Sequence, residues 1–167
     1  MSKLTGLALS IAVLGGVWAF LALGPLAGYV LVWAGFIAWG CYFALGADTA
    51  ALQKTIVGMI YGAVIAGIAL ALVGANPLGL AGAAGPAIYI AVTVFLLVIV
   101  ANIPLLSAVP ANVYGYAATA AYALQTANAG SVTAMDLTNP VLLVALSTIL
   151  GAIFGMLSGK LAGILGK

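Results

Sequence analysis

The sequence predicts an all-α integral membrane protein of about six transmembrane helices, and three observations predict it. First, 66% of the residues are apolar and 4% are charged, with a mean hydropathy of +1.36; a soluble domain carries about 25% charge. Second, the 167 residues fall into long apolar runs separated by short Gly-, Pro- and Asn-bearing turns. A hydrocarbon core of about 30 Å needs roughly 20 residues per helix, which allows about six spans and no soluble domain. Third, one apolar run is interrupted by Ala101–Ala118, ANIPLLSAVPANVYGYAA. Each proline there removes a backbone donor and exposes a carbonyl one turn earlier, so a broken helix is expected near residues 102–116. In a bilayer such a break survives only where protein or a water-filled cavity covers the freed groups. Residues 1–167 are therefore read as a single transmembrane domain with its functional centre at the break.

The elements follow in order. Lys3 precedes a first span, Leu4–Ala22. The lysine and Ala22-Leu23-Gly24 also fit a secretory leader loosely, but the segment is read as a retained helix. Pro25 turns the chain into a second span, about Leu26–Leu45, in which Tyr29, Trp33 and Phe36 share one helical face that Trp39 and Phe43 extend. That face is either an interfacial belt and packing surface or the wall of a pore or pocket. Gly46–Lys54 is a polar loop where Asp48 or Thr49 can cap a third span, about Thr55–Gly74. Gly58, Gly62 and Gly67 give that span a close-packing surface. After the turn Ala75–Ala83, a fourth span starts near Pro86, a favourable first-turn position for proline, and ends near Asn102. A fifth segment covers about Ala111–Gln125, and a loop carrying Asp136 leads to a sixth span from Pro140. Gly151, Gly155, Gly159 and Gly163 recur there every fourth residue, forming a groove that admits another backbone, either within the chain or between subunits.

Charge sets the expected topology. Lys3, Lys54, Lys160 and Lys167 all fall on one side of the membrane if the chain crosses six times, and the positive-inside rule makes that side, with both termini, cytoplasmic. A faint repeat accompanies this plan. Gly35-Phe-x-Ala-x-x-x-Tyr42 recurs as Gly115-Tyr-x-Ala-x-x-x-Tyr122, and Ile11-Ala-Val13 recurs as Ile90-Ala-Val92. Pseudo-repeats 4–75 and 84–165, each of three spans, would be inverted relative to one another, a plan that recurs in transporters.

The composition also excludes chemistry. There is no histidine, and Asp48, Asp136 and Cys41 are the other candidate ligands, so no metal or haem site is expected. Nucleophilic triads that need histidine are equally absent. No catalytic residue and no cofactor are expected, the protein is not expected to be an enzyme, and Cys41 reads as a buried, inert thiol. A net charge of +2 gives no reason to expect a nucleic-acid partner. The expected solute path comprises Asn102, Pro104, Pro110, Asn112, Tyr114 and Tyr116, with Trp33 and Phe36 as the facing wall. The two asparagines either line that path or serve as interhelical glue and helix caps. No carboxylate or histidine falls at membrane depth, which argues against a proton relay and for an uncharged or passively moved solute.

Trp33–Asp48 (WAGFIAWGCYFALGAD), Leu105–Ala121 (LLSAVPANVYGYAATAA) and Pro140–Met156 (PVLLVALSTILGAIFGM) resemble the YcdZ-like family of small bacterial inner-membrane proteins of unknown function, with Val109-Pro110 and GAIFG as the most specific marks. The resemblance implies a compact protein of the bacterial inner membrane and carries over no site. Tyr114-Gly-Tyr-Ala-Ala-Thr119 also resembles a segment of the urea transporters, trimeric channels with inverted halves and a pore through each subunit; Ala117 stands where that segment has an amide. The expected function is a channel or facilitator for a small neutral polar solute such as urea, a short amide or ammonia, embedded in the lipid bilayer as a homo-oligomer, a trimer by analogy. The alternative is a non-transporting accessory subunit whose glycine grooves dock a partner membrane protein. A third reading, a binding protein for a lipid-like ligand, would require an apolar pocket open sideways to lipid.

Overall fold

The computed structural model describes residues 1–166, which fold into six α-helices: α1 (Lys3–Leu23), α2 (Val32–Ala44), α3 (Thr49–Ala75), α4 (Ala84–Ile99), α5 (Val109–Gln125) and α6 (Pro140–Leu165). Two 3-10 turns, Val100–Asn102 and Pro104–Leu106, separate α4 from α5, and a third spans Ala129–Thr133. The caps explain several starts. Ser2 accepts from the Thr5 amide at 3.1 Å, Asp48 from the Ala51 amide at 2.7 Å, and Asn139 from the Val141 amide at 2.8 Å. These side-chain acceptors satisfy donors that a first helical turn leaves free.

Four stretches are long and apolar enough to cross a bilayer: Lys3–Leu23, Thr49–Ala75, Ala84–Asn102 and Pro140–Leu165. Their burial runs opposite to that of a soluble bundle. Leu9, Val13, Val17 and Phe20 of α1 and Ile90, Val94, Phe95 and Val98 of α4 face outward. The interior is built from Ala34, Ala38, Ala63, Ala66, Ala111 and Ala152, with Ser10, Thr55, Thr93, Thr119 and Ser147 among them. A few large side chains, Trp18, Trp39, Met59 and Leu97, are buried among them. Small and hydroxyl-bearing residues at helix contacts are the pattern of helices packing in lipid, where close contact and interhelical hydrogen bonds hold the bundle. The fold is that of a helical membrane protein.

α3 and α6 lie against each other at the centre. α5 packs chiefly on α3 and α2 on α6, while α4 flanks α3 and α1 flanks α6. The two inner crossings are backbone on backbone. A β-carbon on Gly62 would overlap the Asn112 carbonyl oxygen, and one on Gly115 would overlap the Met59 carbonyl. Across the other crossing, a β-carbon on Gly151 would overlap the Gly35 carbonyl. Further along α6, Gly155 meets Trp39 and Tyr42, Gly159 meets Phe43, and Gly163 faces open space. Three of the four ladder glycines are therefore filled from within the chain, by α2. The chain ends meet as well: a β-carbon on Gly166 would lie 2.8 Å from the Lys3 Cα, so the start of α1 and the end of α6 share one end of the bundle. Lys167 lies outside the described residues.

Three element boundaries differ from the sequence expectation for physical reasons. The third span starts at Thr49 and not Thr55, because the Asp48 cap opens the helix inside the expected loop Gly46–Lys54. The second span begins at Val32 instead of Leu26, because the helix start is fixed by groups remote in sequence. Ser147 of α6 accepts the Leu31 amide at 2.7 Å, and the Trp18 indole of α1 donates to the Val32 carbonyl at 2.9 Å. Gly28, at φ +83, belongs to the irregular approach, and Tyr29 sits there, outside the helix whose aromatic face it was expected to share. The broken stretch is shorter than 102–116: it ends at Ala108, and Pro110 lies in the first turn of α5, where a missing amide costs nothing.

The Gly62 crossing gives a direct test. Gly62→Ala should force the two backbones apart at about 3 kcal/mol or more, lowering the thermal midpoint in detergent by ~10 °C. Gly74→Ala, at a helical position where a β-carbon meets nothing within 4 Å, should leave the midpoint unchanged or raise it. Equal midpoints for Gly62→Ala and the parent chain would contradict the crossing.

Candidate functional site

The break before α5 is closed off locally. The Ile103 amide donates to the Val100 carbonyl at 2.8 Å and the Leu106 amide to the Ile103 carbonyl at 2.9 Å. The Ser107 hydroxyl returns to the Pro104 carbonyl at 2.8 Å, and the Asn102 amide reaches the Ile99 carbonyl at 3.4 Å. Asn112, fully buried, straps the break to α4: its Nδ2 donates to the Leu97 carbonyl at 3.2 Å and to the Leu106 carbonyl at 3.1 Å. Its Oδ1 has no partner and faces the bare backbone of Gly58, 2.8 Å from where a β-carbon would sit.

The eight residues expected to share one path fall into three places. Asn102, Pro104 and Pro110 are exposed on the outside of the bundle. Asn112 and Tyr116 face the α3–α4 side, where the Tyr116 hydroxyl meets Thr93 Oγ1 at 3.2 Å and Thr93 donates to the Tyr89 carbonyl at 2.9 Å. Tyr114, Trp33 and Phe36 come together in a groove between α2 and α5. Tyr114 thus lines the same groove as Trp33 and Phe36, although Trp33 lies toward the Ala121–Thr126 end of α5, and the asparagines lie elsewhere.

That groove encloses about 580 Å³. Its α2 wall is Trp33, Phe36, Ile37, Gly40, Cys41 and Ala44, and its α5 wall is Tyr114, Ala117, Ala118 and Ala121. α2 and α5 can stand apart here because each is held by its own long partner, α6 or α3. The walls offer three polar side-chain groups: the Tyr114 hydroxyl, the Trp33 indole N–H and the Cys41 thiol, whose sulfur takes the Thr55 hydroxyl at 3.6 Å. A smaller hollow of about 260 Å³ adjoins Trp33 and is edged by Tyr122, Gln125 and Thr126. Gly40, Ala44 and Ala121 were not singled out from the sequence, and Ala117 only within the urea-transporter resemblance, although the four-residue spacing of these small side chains on two segments is a readable signal of a concave face.

The two carboxylates stand apart from this site. Asp48 caps α3, and Asp136 lies exposed in the α5–α6 connection, where the hydroxyl and amide of Thr138 hold it below the usual carboxylate range. Substitution at Asn112 separates a strap from a solute contact. Asn112→Ala should cost about 1–2 kcal/mol for two lost interhelical bonds, visible as a midpoint lower by ~3–6 °C. A variant of unchanged stability but altered solute permeation would instead make Asn112 part of a path.

No curated protein and no solved structure matches the chain. Residues 8–163 match the model of the family described as Protein of unknown function (DUF1097), and the chain belongs to that family.

Proposed function

We propose that this chain is a six-span protein of the bacterial inner membrane, made of two inverted three-helix halves, that lets a small uncharged solute pass along the groove between α2 and α5. The packing supports the halves. Exchanging α1, α2 and α3 for α4, α5 and α6 turns α2-on-α6 into α5-on-α3 and α1-on-α6 into α4-on-α3, while α3–α6 and α2–α5 map onto themselves. The glycine crossings supply a register: Gly151 lies on the Gly35 carbonyl as Gly62 lies on that of Asn112. Gly35 then corresponds to Asn112, about one helical turn before the Gly115 suggested by the sequence motif. In this register Ile37, Gly40, Cys41 and Ala44 of the α2 wall correspond to Tyr114, Ala117, Ala118 and Ala121 of the α5 wall, while Trp33 and Phe36 fall on Pro110 and Val113, outside it.

That correspondence is the observation that carries the proposal, because it puts the groove on the axis relating the halves. Solute sites of inverted-repeat transporters lie at the repeat interface, next to interrupted helices, and irregular segments precede both α2 and α5. α2, with 13 residues, is ~20 Å long and needs its irregular approach to complete a crossing. Six crossings are supported by a shared end for Lys3, Asp48, Lys160 and Gly166 and by the nearness of Trp33 to Gln125 and Thr126. The positive-inside rule makes the lysine-bearing end cytoplasmic.

The walls narrow the solute. Urea or a short amide would surrender several hydrogen bonds to water and recover few, at about 1 kcal/mol or more for each group left unpaired. A molecule of ammonia's size and polarity has least to lose. The groove is open along one side, so lipid or a neighbouring copy in a homo-oligomer, such as a trimer, closes it. No catalytic role is proposed. A second reading, an accessory subunit, draws on the same open side and its small-residue floor, which would seat a partner helix.

Proteoliposomes decide between the readings. The full chain should raise ammonia permeability, read by an internal pH dye in stopped flow, more than urea permeability. Gly40→Trp, at a position where a β-carbon meets nothing within 4 Å, should plug the groove and remove at least about nine-tenths of the protein-dependent rate, a barrier increase of ~1.4 kcal/mol. Permeability equal to that of empty liposomes for both solutes would reject the facilitator, and a stoichiometric partner recovered in mild detergent would then support the accessory role.

A further inference from the structure

A second cavity, of about 660 Å³, lies where α1 begins, α6 ends and the α2–α3 turn passes, and its polar lining includes Lys3, Lys160 and Asp48. We propose that it binds the phosphodiester of a membrane phospholipid, with Lys3 and Lys160 as the charged contacts. The two lysines come from helices locked together by the contact of Gly166 with Lys3 and of Gly6 with Gly166, both places where a β-carbon would lie 2.8 Å from backbone. Their stems are thus anchored on a fixed frame, while the exposed ammonium groups remain free to turn toward a ligand.

The remaining groups define what fits. The Tyr42 hydroxyl donates to the Ala47 carbonyl at 2.6 Å, so its proton is already engaged. Asp48 gives one oxygen to the Ala51 amide at 2.7 Å. Two lysines against one aspartate leave one net positive charge, which matches the single negative charge of a phosphodiester better than a doubly charged phosphate. Leu7, Phe43 and Met156 supply an apolar wall, suited to the glycerol and first methylenes of a lipid and left without a partner by free phosphate. Basic pockets between helices at the cytoplasmic surface are where anionic headgroups are held. The cavity shares no α2 residue with the solute groove, so the two sites stand or fall separately.

The test uses the delipidated full chain in detergent, offered phosphatidylglycerol, phosphatidylcholine or inorganic phosphate, with retained ligand read by native mass spectrometry and folding by the thermal midpoint. One phosphatidylglycerol per chain should be retained. Lys3→Gln and Lys160→Gln should each weaken retention about 5-fold and the double variant about 30-fold, with phosphatidylcholine weaker than phosphatidylglycerol in the parent. Lys54→Gln, outside the cavity, should change nothing. Gly163→Leu, which fills the cavity at a position meeting nothing within 4 Å, should also lose the lipid without a change of charge. Undiminished retention in the folded double variant, or in Gly163→Leu, overturns the site. Lysine-dependent capture of inorganic phosphate without capture of phosphatidylglycerol overturns the lipid assignment.

Discussion

The constraint on which this molecule depends is the approach of two backbones with no side chain between them, α5 on α3. Gly62 meets the Asn112 carbonyl, Gly115 meets that of Met59, and Gly58 lies under the Asn112 amide. In lipid, little hydrophobic gain drives one helix onto another, so contact area and polar bonds must do it, and both require closeness. Side chains at these positions would lift α5 from α3. The Asn112 amide would then leave the Leu97 and Leu106 carbonyls, the break would lose its cover, and one wall of the α2/α5 groove would move.

The same economy operates around α6. Ser158 accepts the Trp39 indole at 2.9 Å through its hydroxyl and the Ser10 hydroxyl at 3.0 Å through its carbonyl. Three helices are thus joined at one buried residue. Trp18, fully buried, packs its ring against Phe154 at 5.6 Å and bonds the start of α2 through its indole. These bonds explain why the large aromatics of α1 and α2 split by role. Trp18 and Trp39 point inward, where each indole finds an acceptor, the Val32 carbonyl and the Ser158 hydroxyl, whereas Trp33 and Phe36 remain at the groove.

Local chemistry made much of this legible. The Asp48 cap, Pro140 at the head of α6, the break near Pro104 and the glycine ladder each depend on neighbouring residues, and each has its counterpart in the structure. What was misread depends on partners far along the chain. Leu26–Leu31 is as apolar as a helix, but Ser147 and Trp18 decide where α2 begins. Only Trp33, Phe36 and Tyr114 of the groove lining were legible, for a related reason. Amides and hydroxyls are the costly groups at membrane depth and stand out in a sequence, whereas the small-residue spacing of Gly40, Ala117 and Ala121 is a weaker signal. Small residues mark a cavity only once two helices face each other.

The side-chain donors at the break are consumed in holding it, and Asn112 Oδ1 is the buried acceptor left without a partner there. Asn102, Ser107 and the Asn112 amide nitrogen all bond to backbone carbonyls within or beside it. Ser147 does the equivalent at the start of α2, where no side chain of that helix caps its own first turn. A group already bonded to the backbone cannot recognise a solute without releasing that bond, and in a low-dielectric interior the release is expensive. The interruptions therefore act as supports for the helices on either side of them. Between α2 and α5 the facing surfaces are largely apolar, so under the proposed function selection would rest on size and desolvation more than on hydrogen bonding.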